Sequence, residues 1–344
     1  MKKHLIAAAV AAAVAVPMTA SAGDVTLYGT IHMSIDSYDR EDSQAGVFGG
    51  TASHDEPTAA GEDWLAVNSN NTVFGIKGSE DLGNGLSALF QMEFWMDADG
   101  LPGGGPSNVR NTFVGLAGSW GVVGMGRVDT PYKSSTGSLE LFSLTPGDYN
   151  GIGFEDIRAP DAVFYMSPNW NGFSFQGAVV IPSASAELDG VEATSIAFKY
   201  QNGPWFAALA FEDIDDDLNQ IGASPFNTWS EDKWRLGLGY TANGLHVGFV
   251  YEDRENDDLD VNEDEQSWQI SASYTMGNNV FKAAYGEEDI DVAAGGSVDN
   301  ELFSIGVDHK LSKRTKVYAQ YADYDAGAAD SDMDAFSVGI VHKF

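Results

Sequence analysis

Apolar and polar residues alternate without a break along Trp268-Gln269-Ile270-Ser271-Ala272-Ser273-Tyr274-Thr275-Met276. Successive side chains of a β-strand point to opposite faces, so this stretch predicts a strand with one apolar face and one face of small or polar residues. The same alternation recurs from Trp234 to Thr241 and from Phe336 to Phe344. Such runs follow one another along the chain, separated by Gly, Asn, Asp and Pro, and this predicts an all-β protein.

The connections between these runs favour a membrane β-barrel over a soluble β-sandwich. Short turns, such as those around Asn84 and Asn243, alternate with long acidic segments over 213–232, 252–265 and 287–300. This regularity is expected of a barrel whose turns lie on one side of a membrane and whose loops lie on the other. Aromatic residues also mark the ends of the apolar strand faces, as they do at membrane interfaces. They include Trp234, Tyr240, Trp268 and Tyr274.

We therefore predict a transmembrane antiparallel β-barrel over residues 23–344. About 16 strands can be counted, an even number that allows an antiparallel sheet to close and that leaves an aqueous channel inside. Closure also gives every backbone donor and acceptor a partner in a medium without water.

Residues 1–22 are predicted to be a signal peptide. Lys2 and Lys3 precede an apolar run over 5–16, and Ala20-Ser21-Ala22 forms a small-residue cleavage site. The apolar run is shorter than the ~20 residues of a spanning helix, so export is favoured over an N-terminal anchor.

Charge and composition exclude several classes of function. The chain has 18 Lys+Arg against 51 Asp+Glu and a net charge of −33, which would repel nucleic-acid phosphates. It has no Cys, its His residues lack metal-ligand spacing, and it contains no Gly-x-Ser-x-Gly nucleophile motif. We predict no enzyme and no cofactor. The acidic stretches 213–217 and 252–265 lack the spacing of a calcium loop, although Ca²⁺ or Mg²⁺ held loosely there could bridge to lipopolysaccharide.

The segment from Phe74 to Ala88, Phe-Gly-Ile-Lys-Gly-Ser-Glu-Asp-Leu-Gly-Asn-Gly-Leu-Ser-Ala, resembles the first periplasmic hairpin of Gram-negative general diffusion porins. Val25-Thr26-Leu27-Tyr28-Gly29, Phe113-Val114-Gly115-Leu116 and the terminal Phe344 continue the resemblance in order. It implies an outer-membrane homotrimer of 16-stranded barrels, each a water-filled channel for passive diffusion of ions and small hydrophilic solutes. It further implies a long third loop folded into the lumen, and Phe344 as the signal to the outer-membrane assembly machinery.

Strand parity predicts which basic residues face the channel. If Phe74 faces lipid, Lys77 faces the lumen, because a charge on the lipid side is costly. The same reasoning places Arg235 inside, and Arg110 as well if Phe113 faces lipid. By resemblance, Arg158 joins this basic wall. Arg127 shares its parity with apolar outward residues and is predicted to face a neighbouring subunit unless a bulge turns it inward.

The third loop is predicted over 129–160. Glu140 and Asp148 are the leading candidates for the acidic side of a pore constriction, followed by Glu155 and Asp156. Because acidic pore linings favour cations, the sequence predicts a cation-preferring channel. A solute-selective channel and a non-conducting structural or adhesin barrel are the alternatives.

Overall fold

A computed structural model describes residues 24–40, 63–99, 106–181, 190–215, 231–256, 263–291, 296–327 and 332–344. Most of these residues belong to strand segments of one antiparallel sheet. The segments are β1 (Asp24–Arg40), β2 (Trp64–Ser69), β3 (Val73–Gly83), β4 (Leu86–Met96), β5 (Pro106–Val109), β6 (Thr112–Gly118), β7 (Gly121–Asp129), β8 (Arg158–Met166), β9 (Phe173–Val180), β10 (Ala193–Asn202), β11 (Trp205–Ile214), β12 (Glu231–Ala242), β13 (Leu245–Asn256), β14 (Glu263–Met276), β15 (Asn279–Asp291), β16 (Ser297–Lys310), β17 (Thr315–Ala326) and β18 (Met333–Lys343).

The sheet closes on itself as a barrel of 16 strands, as the sequence predicts. β1 pairs with β18 on one side and with β2 and β3 on the other, so β2 and β3 are two halves of one wall strand. β5 and β6 both pair with β4 and are likewise halves of one strand. The terminal residue completes the seam: Phe344 N donates to Gly29 O at 3.0 Å, and Gly29 N donates to Phe344 O at 3.2 Å.

The wall is apolar on its outer face and polar on its inner face. In β18, Phe336 and Val338 are 52% and 47% exposed, whereas Ser337 between them is fully buried. An apolar exterior around a polar interior is the pattern of a barrel that meets lipid. Separately, no helix among the described residues is long and apolar enough to cross a membrane. The predicted signal peptide lies outside the described residues.

Several strands run further than predicted, so the boundaries of the acidic segments were wrong. β11 ends at Ile214, β13 at Asn256 and β15 at Asp291. The reason is that carboxylates at alternate positions of these strand ends point inward, where Glu212, Glu252 and Glu288 are buried. Most of the remaining acidic loop sequence lies outside the described residues, so loosely bound Ca²⁺ or Mg²⁺ stays a prediction.

The third loop, residues 130–157, connects β7 to β8 and lies against the inner face of the wall. It contains a short helix α1 (Lys133–Thr136) and a 3-10 helix (Tyr149–Ile152). Its apolar side chains, among them Leu139 and Phe154, form a buried cluster with inward residues of β13 and β16 such as Val250. This loop–wall core lies inside the barrel, so apolar burial helps to hold the loop there.

Candidate functional site

Arg235 lies on the inner face of β12, and the third loop covers it completely. Its Nε donates to Glu252 Oε2 on β13 at 2.6 Å. Toward the loop, one terminal nitrogen donates to Asp156 Oδ1 at 2.8 Å, and the other donates to the carbonyl oxygen of Glu155 at 3.1 Å. The guanidinium also lies over the ring of Tyr132 at 4.5 Å. Arg235 therefore joins the loop to the wall and has no surface facing the channel.

A second ionic group holds the end of the third loop. Lys233 Nζ on β12 lies 2.9 Å from Glu155 Oε2 and 3.4 Å from Glu212 Oε1. Arg254 on β13 lies 3.6 Å from the same Glu155 oxygen. Burial acts to raise the pKa of Glu155, but attraction by Lys233 and Arg254 outweighs it and lowers that pKa to about 2. Glu155 is thus charged throughout the physiological range.

Further wall side chains donate hydrogen bonds to backbone carbonyls of the third loop. Ser271 Oγ donates to Leu139 O at 2.8 Å, and Lys282 Nζ donates to Leu141 O at 2.9 Å. Lys199 Nζ donates to Ser134 O. Donors on β10, β12, β14 and β15 therefore satisfy loop carbonyls that would otherwise be buried without a partner.

Lys77, on β3, and Arg110, between β5 and β6, belong to a separate group on the wall that also includes residues of β1 and β4. Arg110 Nε donates to Glu93 Oε1 at 2.7 Å, and Tyr28 OH donates to Glu93 Oε2 at 2.9 Å. Lys77 Nζ lies 4.4 Å above the Tyr28 ring. The predicted wall residues Lys77 and Arg110 are thus brought together around one buried carboxylate.

Arg110 was predicted to face the lumen on the condition that Phe113 faces lipid, and that condition is not met. Arg110 nevertheless reaches the inward carboxylate of Glu93. Val114 and Leu116 are the exposed residues of β6, and Phe113 packs against the buried Phe164. The strand is interrupted between β5 and β6, at Arg110 and the residue after it, and this break changes the parity. Sequence alternation alone does not reveal such a break.

Arg127 lies on β7 just before the third loop, and Arg158 lies just after the loop as the first residue of β8. Arg158 Nη2 lies 2.8 Å from Asp129 Oδ1, and Lys133 Nζ lies 3.7 Å from the same oxygen. Arg127 lies where the pairing of β7 with β8 shifts register between Gly126 and Val128. Within the part of the chain that the structure describes, its buried Nε has no hydrogen-bond acceptor. Its role at a subunit interface stays a prediction, as does that of Phe344 in assembly.

Glu140 and Asp148 occupy different settings within the third loop. Asp148 is buried and accepts hydrogen bonds from Leu144 N at 2.5 Å and Asn150 N at 3.0 Å, so it caps the 3-10 helix. Glu140 Oε1 accepts from Phe142 N at 2.5 Å, whereas its Oε2 has no donor among the described residues. Neither carboxylate has a Lys or Arg partner at ion-pair distance in the described ranges.

Burial raises the pKa of both carboxyls. Burial and the nearby charge of Asp148 raise the pKa of Glu140 well above its ordinary value. Burial raises the pKa of Asp148 to about 6, although the amides of Asn150 and Leu144 favour its charged form. Their place in a constriction stays a prediction.

Several residues of the site were missed from the sequence. Glu252 was assigned to an acidic loop, whereas it is the buried partner of Arg235 on β13. Tyr132 OH donates to the same carboxylate at 2.9 Å. Glu93, the partner of Arg110, is a single acidic residue among apolar neighbours on β4. This pattern could have indicated from the sequence that Glu93 is an inward carboxylate.

Comparison with known proteins identifies the family. A family model described as Gram-negative porin matches residues 7–342. The chain is a Gram-negative porin. This porin is 28% identical over 395 residues to an outer membrane porin protein of Bordetella pertussis, with both chains covered in full.

Two solved structures share the fold of this porin. An anion-selective porin from Comamonas acidovorans superposes with a TM-score of 0.74 at 21% identity, covering 94% of this chain and 100% of that one. OmpT of Vibrio cholerae in a trimer form gives 0.70 at 16% identity, covering 94% and 100%. As a family member, the porin is a channel protein of the Gram-negative outer membrane and not an enzyme.

Proposed function

We propose that this porin is a passive diffusion channel for small hydrophilic solutes that prefers cations and assembles as a homotrimer. The observation that carries the ion preference is the pairing of its inward basic residues. Arg110, Arg158 and Arg235 each lie within 2.8 Å of a carboxylate oxygen. Such pairs cancel much of the positive potential that a row of arginines would otherwise add to the channel.

The excess of acidic over basic residues supplies a negative potential. Among the described residues, Glu140 and Asp148 have no basic partner at ion-pair distance, and the chain as a whole carries a charge of −33. Acidic groups along a channel attract cations and repel anions. The barrel fold itself does not decide whether cations or anions are preferred, because a solved porin of the same fold is described as anion-selective.

The test is the reversal potential of purified protein in a planar bilayer under a KCl gradient. The proposal expects a potential of the sign that marks potassium as the more permeant ion. Chloride preference would reject the cation assignment and leave the channel in place. A saturable block by one class of solute would instead favour a solute-selective channel.

The trimeric state is tested in the same recording. A trimeric porin fold is found among the solved structures, and this supports the proposal of three subunits. Three independent barrels in one assembly give conductance that appears and closes in groups of three equal steps. Single steps from fully folded protein would reject the trimer.

A further inference from the structure

We propose that Arg235 is the residue that fixes the position of the third loop, and thereby the width of the channel, rather than a charge that selects ions. This inference rests on the channel activity of the family and is independent of the proposed cation preference. It assigns a positioning role to a residue that strand parity alone places on the basic pore wall.

Arg235 contacts both ends of the third loop at once. One of its terminal nitrogens lies 3.3 Å from Thr136 Oγ1, at the end of α1, and 2.8 Å from Asp156 Oδ1, just before β8. The same nitrogen lies 3.3 Å from the hydroxyl of Tyr149, which itself donates to Asp156 Oδ2 at 3.1 Å. Segments 20 residues apart in the loop therefore meet at one guanidinium. The other two nitrogens of the planar group donate to Glu252 and to the carbonyl oxygen of Glu155, so the whole set of contacts needs three separate positions, which a single ammonium does not have.

The wall holds Arg235 in place. Glu252 accepts from its Nε, and the same carboxylate accepts from Tyr132 OH at 2.9 Å. The other Glu252 oxygen accepts from the backbone N–H of Glu155 at 3.1 Å. Removing Arg235 would leave the buried Glu252 and the partly buried Asp156 close together and without their shared cation. Their repulsion and their need for water would drive the loop away from the wall.

The burial of Arg235 argues against a direct role in selecting ions. Its side chain is fully covered and its charge is compensated by Glu252 and Asp156, so a permeating ion does not meet it. A pore charge and a loop anchor thus predict different changes in different measurements. Loss of a pore charge shifts the reversal potential. Loss of the residue that holds the third loop instead changes the size limit for solutes and the noise of the single-channel current.

The test is Arg235→Gln, with entry of sugars of increasing size into proteoliposomes as the main measurement. We expect the size limit to rise and the single-channel current to become noisy, while the sign of the reversal potential is kept. Arg235→Lys should restore little of the native behaviour, because one ammonium cannot occupy the three nitrogen positions that contact Glu252, Asp156 and the carbonyl oxygen of Glu155. An unchanged size limit with a shifted reversal potential would overturn the proposal.

An engineered disulfide between the third loop and the wall tests whether the effect of Arg235→Gln comes from release of the loop. A general loss of stability would not be reversed by such a link. A Cβ built on Gly237 would lie 3.5 Å from Thr136 Cβ, close to the separation in a disulfide, and the native chain has no Cys to interfere. In the Arg235→Gln background, Thr136→Cys with Gly237→Cys should return the size limit to the native value when oxidised and release it when reduced. Failure of the oxidised protein to recover would reject the anchoring role.

A milder variant covers the case in which Arg235→Gln does not fold. Asp156→Asn removes the loop-side carboxylate and leaves Arg235 paired with Glu252. It should raise the size limit in the same direction by a smaller amount. Folded Asp156→Asn protein with native size limit and native current noise would count against the proposal.

Discussion

The carboxyl group of Glu140 couples the third loop to pH. Its pKa is raised by burial and by the nearby charge of Asp148, whose own pKa burial raises to about 6. A carboxyl is neutral below its pKa, so both groups lose charge at a higher pH than an exposed acid does. Lys282 acts on Glu140 and Lys133 acts on Asp148 as the nearby positive charges.

We expect the cation preference to fall as the pH is lowered from 8 to 5. Asp148→Asn should reduce the preference at pH 8 and flatten its pH dependence, because the pKa of Asp148, about 6, lies inside this range. Reversal potentials measured across that range check both statements. The matched control is Glu301→Gln, which removes an exposed carboxylate from the outer face of β16 and should leave the profile unchanged. A native reversal potential that is constant down to pH 5 would contradict the prediction.

Gly153 allows the end of the third loop to approach β15. Its φ is 74°, in the left-handed region, and a Cβ there would lie 1.9 Å from Glu288 Oε1. Glu288 cannot move away freely, because Asn300 donates to its other oxygen at 2.7 Å. We expect Gly153→Ala to lower the free energy of unfolding by about 1–3 kcal/mol, measured by urea titration of Trp fluorescence in detergent micelles.

Gly137, in the same loop, provides the control for Gly153. Its φ is −56°, and a Cβ there would meet nothing within 4 Å. Gly137→Ala should therefore be neutral or should stabilise the protein by up to about 1 kcal/mol. Equal losses for the two substitutions would show that backbone conformation and close approach are not the cause.

At the scale of the strand, each residue's face decides the cost of a charge. In β10, Phe198 is 50% exposed on the outer face, and Lys199 beside it points inward to the third loop. Exchanging the two residues keeps the composition and moves the charge to the lipid side. We expect this exchange to cost about 2–4 kcal/mol if the position lies near the bilayer midplane. Urea-dependent folding into lipid vesicles measures the difference.

The single substitution Lys199→Phe separates the two effects of that exchange. It removes the same inward charge and the contact with Ser134 without placing a charge toward lipid. The exchange variant should be clearly less stable than this control. Equal stabilities would mean that β10 does not present Phe198 to lipid.

The strands could be predicted from sequence, whereas the arrangement of the third loop could not. Alternation has a period of two residues and is read locally, so β14 and β18 were recognisable from their own residues. The contact between Arg235 and Asp156 spans 79 residues of chain, and no local pattern encodes it. Parity placed Arg235 on the inner face, but only the packing of Leu139 and Phe154 against the wall shows that the loop covers it.

At the scale of the whole molecule, charge acts at two distances. Close pairs such as Arg110 with Glu93, at 2.7 Å, are little affected by salt because the ions of the solution cannot enter between them. The net charge of −33 instead acts over longer distances through solvent. Removal of the predicted signal peptide, which contains Lys2 and Lys3, would make that charge two units more negative.

These two ranges predict how the ion preference depends on salt. The Debye length falls from about 10 Å at 0.1 M to about 3 Å at 1 M, so long-range attraction of cations weakens while the close pairs persist. We therefore expect the potassium-to-chloride permeability ratio to decline across this range without changing sign. Uptake of an uncharged sugar by proteoliposomes is the control and should not respond to salt. A ratio that stays constant from 0.1 M to 1 M would show that long-range attraction does not set the preference, because only groups that meet the ion directly escape screening.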